Sequence, residues 1–187
     1  MCYLNCEKLD EATKCLNDGK AAGCTGDLSK TQQSVAEARR QVMICDDALA
    51  HNNGRMALTS LKKAQDMGLG ETNQVYLRMA KACNILKQFQ DAQRHVSKLL
   101  RKDPSCVDGY LVLSEGILGN IETGLNTKDY DKKLADAAKI LRQALEKDPD
   151  AIKIQKAFKK LKKFRKEFEE FRKAYDTREF ETARGYL

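Results

Sequence analysis

Arg78 and Lys81 stand three residues apart, a spacing that puts two cations on one face of a helix, where they could meet a carboxylate or an acidic peptide tail. Asp108, Tyr110 and Glu115 fall where the same surface would continue, and Asp46 where it would begin. A second concentration of charge lies in 151–175, where ten Lys/Arg face three Glu and carry the whole formal excess of +7. Its core is Lys156, Lys159, Lys160, Lys163, Arg165 and Lys166. Phosphate backbones seek such a patch. The interleaved aromatics, however, are spaced for packing rather than for stacking bases. Lysines opposite a Phe stripe are also the ordinary solvated face of a long helix. Nucleic acid is therefore the lesser reading, and because charge signs alternate between the groove residues, one uniformly basic cradle is not expected.

Little else could do chemistry. His51 falls at a helix end and His95 on the outer part of a helix, with no Ser/His/Asp or Cys/His arrangement around either. Seven cysteines occur without a Cys-x-x-Cys pair, mostly at helix-core spacings where Cys behaves as a small hydrophobe. Free structural thiols in a reducing, cytoplasmic compartment follow as the expectation. Gly68-Leu69-Gly70 lacks the rest of a phosphate-binding loop. Glu169-Glu170 and Asp46-Asp47 are adjacent, so they point to different faces. No enzyme, metal or cofactor is expected, and neither a signal peptide nor a membrane-length apolar run is present.

The elements that must position these residues are helical. The 187 residues contain only 13 Gly and Pro, no Trp and no alternating strand pattern. In 73–104, Tyr76, Met79, Ala80 and Cys83 mark one helix, and Ala92, Val96 and Leu99 a second, closed by Pro104. An aromatic, a leucine-like residue and a small residue, followed by Ala, a bulky residue and Pro, form the pattern of the tetratricopeptide (TPR) repeat, whose period is about 34 residues. Ala80 and Ala92 permit close approach of the two helices, and each pair must stack on neighbours to bury its apolar face.

The alanine of each second helix provides a ruler: Ala12, Ala57, Ala92, Ala137 and Ala183, with steps of 45, 35, 45 and 46. The expected division is a partial repeat at 1–24, a repeat with an extended first helix at 25–70, a regular repeat at 71–105, a repeat with a loop insertion at 119–133 spanning 106–150, and a long basic helix opening an incomplete repeat at 151–187. In the second of these, Leu28, Val35, Val42 and Leu49 recur every seven residues with Ala38 and Cys45 between them. In the last, Ile154, Phe158, Leu161, Phe164, Phe168, Phe171 and Tyr175 form one stripe, an amphipathic packing face. Both ends cut through a repeat, which implies a fragment or completion by another chain, and makes self-association through the ends an expectation.

The stretch LRQALEKDPDAIKIQKAFKKLKKFRKEFEEFRKAYDTREFETA, with the repeat phasing, resembles the TPR region of TPR-containing J-domain (Hsp40-class) co-chaperones. The resemblance implies a repeat ending in ALxxDPD, a long Lys-rich helix, and a turn followed by Phe180 and Ala183. It also implies Hsp70, Hsp90 or a client as partner. Two departures stand out. The chain has no His-Pro-Asp, so a J domain is absent from it. Chaperone-tail clamps of this kind use a Lys and then an Asn four residues on, where this chain has Leu77 and Lys81, Phe168 and Arg172, or Val42 and Asp46.

The sequence thus predicts an all-α, TPR-like superhelix with two extended helices, acting as a non-catalytic scaffold that recognises a protein surface in a helix-lined groove. The rival readings are a TPR adaptor of an unrelated assembly and an RNA-associated scaffold using 151–175.

Overall fold

The computed structural model describes residues 9–23, 28–119 and 127–177. Among them the chain is helical throughout, without a strand: α1 (Leu9–Ala21), α2 (Leu28–Ala50), α3 (Gly54–Asp66), α4 (Asn73–Ile85), α5 (Phe89–Lys102), α6 (Val107–Gly119), α7 (Thr127–Lys147) and α8 (Ile152–Asp176). Expectations resting on Tyr3, Leu4, Asp27, Phe180, Ala183 and Leu187 lie outside the described residues.

Three antiparallel pairs, α2 with α3, α4 with α5 and α6 with α7, hold the most intimate contacts. The first helices of successive pairs, α2, α4, α6 and α8, also touch one another, forming the inner wall. The alanine ruler explains the pairing: Ala12, Ala57, Ala92 and Ala137 are all buried. A residue without a side chain beyond Cβ lets the backbones close in, and the flanking Leu61, Val96 and Leu99, and Leu141 complete the seal. Three clusters of buried apolar side chains run along the stack, centred on Leu61 and Val75, on Leu99 and Val112, and on Leu141 and Ile154.

Local sequence sets the helix ends. Thr72 caps α4 by accepting from the Val75 amide at 3.2 Å, and Asn53 caps α3 by accepting from the Met56 amide at 3.1 Å. Asn52 and Lys87 end α2 and α4 in left-handed conformation (φ 54° and 59°). The amides that follow them, of Asn53 and Gln88, reach back to the carbonyls of Ala48 and Cys83 at 2.8 Å, which closes each helix in a Schellman-type turn. Gly54 is packed so closely that a Cβ there would stand 2.6 Å from the Ala82 carbonyl oxygen, so α3 begins in direct contact with the end of α4.

Two expectations are corrected. The insertion placed at 119–133 is not a loop to its end, because α7 begins at Thr127 and makes a third long helix of 21 residues beside α2 (23) and α8 (25). The early turns of α7 are held by Tyr130, which stacks on Phe168 with centroids 4.7 Å apart, and by Asp131, which accepts from Arg172 at 2.7 Å. The aromatic stripe of α8 is also only partly covered: Ile154 and Leu161 are buried, but Phe164 and Tyr175 are 45% and 56% exposed.

Candidate functional site

The inner wall collects the groove residues expected from the sequence, and it brings most of them into pairs. Arg78 on α4 reaches Asp46 on α2 by two contacts, Nε to Oδ1 at 2.7 Å and Nη2 to Oδ2 at 3.0 Å. The Arg78 side chain is 17% exposed and that of Asp46 52%, so the pair sits at the rim of the groove floor. One repeat further on, Lys81 lies near enough to Glu115 on α6 to act on its charge. Burial of the Glu115 carboxyl raises its pKa, Lys81 pulls it down, and Asp108 pushes it up. The Glu115 residue is nevertheless open to solvent. One more repeat on, Asp108 accepts from Lys153 of α8 at 3.5 Å.

The alternation of sign read from the sequence is thus a ladder. Ion pairs join α2 to α4 and α6 to α8, a field effect alone links Lys81 of α4 to Glu115 of α6, and Arg78 is not available as a solitary cation. Tyr110, expected to face a partner, instead donates its hydroxyl to the Pro104 carbonyl at 3.0 Å and ties α6 to the turn before it. Asp46 as the partner of Arg78 was not legible, because a separation of 32 residues becomes a contact only once the register of α2 against α4 is fixed. Lys153 was missed for the same reason.

The six residues of the basic patch divide. Lys163, Arg165 and Lys166 pair with Glu167, Glu169 and Glu170 four residues on, at 3.5, 3.1 and 3.7 Å. Lys156, Lys159 and Lys160 are exposed and form no ion pair with any described residue.

His95 is more enclosed than expected. Its ring lies 6.4 Å from that of Tyr76, its Nδ1 is buried without a hydrogen-bond partner, and burial, with Lys98 nearby, lowers its pKa. Tyr76 donates its hydroxyl to the Glu71 carboxylate, which lowers the Glu71 pKa and raises that of Tyr76. Lys98 and Lys102 stand over the Tyr76 ring at 5.4 and 4.9 Å, and Lys102 also donates to the Glu71 carbonyl at 2.8 Å. These groups clamp the start of α4 to α5 and offer no nucleophile beside a base.

The cysteines follow the expected pattern in part: Cys45 and Cys83 are buried, Cys106 is partly so and Cys15 is exposed. Among the described residues no three His, Cys, Asp or Glu side chains gather as a metal site, and no helix is long and apolar enough to cross a membrane.

The fold defined by these pairs is the TPR type of all-α superhelix. The chain superposes on the Arabidopsis OM64 TPR domain with a TM-score of 0.51 and 21% sequence identity, covering 67% of this chain and 94% of that one. No family model and no curated protein matches it.

Proposed function

We propose that this chain is a non-catalytic protein-binding scaffold, the TPR part of a cytoplasmic Hsp70/Hsp90 co-chaperone that recognises chaperone or client through the groove of α2, α4, α6 and α8. The observation that carries the reading is the inner wall itself, four first helices presenting charged groups side by side in a fold whose repeats leave that face to solvent. The resemblance of 141–183 to J-domain co-chaperones supports the chaperone assignment. The ladder refines the mechanism. An incoming carboxylate must displace Asp46 to reach Arg78, whereas Lys81 faces only the weaker field of Glu115. Binding is therefore an exchange of ion partners, selective for a ligand that brings its own carboxylate and also satisfies Asp46.

A tagged pull-down from cytosolic extract, identified by mass spectrometry, tests this with the wild type beside Arg78→Ala/Lys81→Ala. Loss of Hsp70 or Hsp90 in the variant supports both the partner and the site. Equal retention by both keeps the partner and removes the site. Recovery of a different complex without chaperones makes the chain an adaptor of another assembly.

A further inference from the structure

Among the described residues, α8 leaves one ridge largely uncovered, with Phe171 on it half-buried. Lys156, Lys160 and Phe164 follow at four-residue steps, and Phe171 and Tyr175 continue at steps of seven and four, so all five lie along one line of the helix. The ridge is basic at its start and aromatic at its end, over a length of roughly 29 Å. Among the described residues, the inner helices α2, α4 and α6 are each covered by an antiparallel outer partner, whereas α8 packs mainly on the preceding α7 and α6, and Phe164 and Tyr175 are 45% and 56% exposed.

The charges sort along the same line. In the aromatic half, Glu167, Glu169 and Glu170 neutralise Lys163, Arg165 and Lys166, and Asp131 takes Arg172. At the basic end, Lys153 is held by Asp108 and Lys162 lies over the Phe158 ring at 4.7 Å. Lys156, Lys159 and Lys160 have no such compensation among the described residues. Among the described residues of α8 these three lysines cluster within little more than one helical turn beside an apolar strip, while at the aromatic end Lys173 alone is left without a carboxylate.

We propose that this ridge is a docking surface for an amphipathic helix of a partner protein, whose acidic residues meet Lys156, Lys159 and Lys160 and whose apolar residues cover Phe164, Phe171 and Tyr175. Charge complementarity at one end and apolar burial at the other select this occupant. A nucleic acid fits less well. The open cations are few, and the rings stack on their own neighbours, Phe164 on Phe168 at 6.5 Å and Phe171 on Tyr175 at 6.0 Å, which makes a continuous strip rather than separate platforms for bases. The surface is independent of the groove, because neither Arg78 nor Lys81 lies on it.

The test is fluorescence anisotropy with the full chain and a labelled designed peptide of about 20 residues, with Glu and Leu at helical spacing. A scrambled peptide of the same composition and a labelled oligouridylate serve as comparisons. Charge reversal at Lys156→Glu, Lys159→Glu and Lys160→Glu together is expected to weaken peptide binding by about tenfold or more. Phe164→Ser/Tyr175→Ser is expected to weaken it severalfold, the scrambled peptide is expected to bind more weakly, and Arg78→Ala/Lys81→Ala is expected to change nothing. Circular dichroism confirms that these exposed substitutions leave the fold intact. The proposal is overturned if the peptide does not bind, if charge reversal leaves its affinity unchanged, if only the oligouridylate binds and loses affinity on charge reversal, or if sedimentation shows a dimer that Phe164→Ser disperses.

Discussion

Arg78 and Asp46 meet in a two-point contact across the first two inner helices, 2.7 Å from Nε to Oδ1 and 3.0 Å from Nη2 to Oδ2. The forked geometry fixes α2 against α4 in direction as well as distance. Arg78→Ala and Asp46→Ala are each expected to lower stability by about 1 kcal/mol, at the upper end for a partly exposed pair. The double variant is expected to lose less than the sum. A double-mutant cycle by urea denaturation measures the coupling, and a coupling near zero would mean that the contact does not tie the helices.

The same contact bears on binding. Asp46→Ala removes the two-point contact with which Asp46 competes for Arg78 against a ligand carboxylate. If the groove binds acidic tails, this variant is expected to bind a carboxylate-terminated peptide several-fold more tightly than wild type, while Arg78→Ala weakens binding. Calorimetric titration of both variants distinguishes this exchange from a groove in which Arg78 is purely structural, where neither substitution changes affinity.

Gly54 meets the Ala82 carbonyl oxygen, and a Cβ at 2.6 Å from backbone cannot be absorbed by a side-chain rotation. Gly54→Ala is expected to cost about 1–3 kcal/mol through forced separation of α3 from α4. A fall in melting temperature of several degrees, at about 2–4 °C per kcal/mol for a chain of this size, is the readout. By contrast, Lys87 occupies a left-handed conformation at φ 59°. Lys87→Gly is expected to raise stability by about 1 kcal/mol, since glycine adopts that region without a Cβ penalty.

His95 gives a pH signature. Burial and Lys98 hold its folded pKa below the ordinary 6.5, with Asp91 and Glu71 opposing. The unfolded chain then binds the proton more readily, so stability falls as pH drops below 6.5 towards the folded value and levels off beneath it. Glu115 acts in the other direction: its folded pKa is raised above 4.5, so protonation on acidification favours the folded state. His95→Gln is expected to flatten the loss of stability below pH 6.5 when denaturation midpoints are compared with wild type. Parallel curves for the two proteins would remove His95 as the cause.

Tyr130 holds the first turns of α7 by its stack on Phe168 at 4.7 Å. Tyr130→Ala is expected to remove about 1 kcal/mol of aromatic contact beyond the area lost. Amide exchange should then accelerate over 130–134 while 141–147 stays protected, because Leu141 and Ala144 remain buried.

The repeat framework was legible because it depends on residue size at fixed intervals. Ala12, Ala57, Ala92 and Ala137 must be small wherever two helices touch, and they mark each pair without reference to partners distant in sequence. The start of α7 was not legible, since Tyr130 is its single aromatic before Leu134 and the residue it stacks on lies 38 positions away in α8. The groove was legible as a set of positions but not as a circuit. Asp46, Arg78, Asp108 and Lys153 each read as a surface charge, and only the stacking of one repeat on the next turns them into pairs.

The ladder on the inner wall also has a mechanical meaning. Asp46 with Arg78 and Asp108 with Lys153 each bridge adjacent inner helices, and Lys81 acts on Glu115 through its field. They act as ties on the inside of a curved spring. Salt, by loosening them, relaxes the inner row while the alanine contacts between paired helices stay closed. Ionic strength therefore bears on how firmly neighbouring inner helices are tied, at α2 with α4 and at α6 with α8.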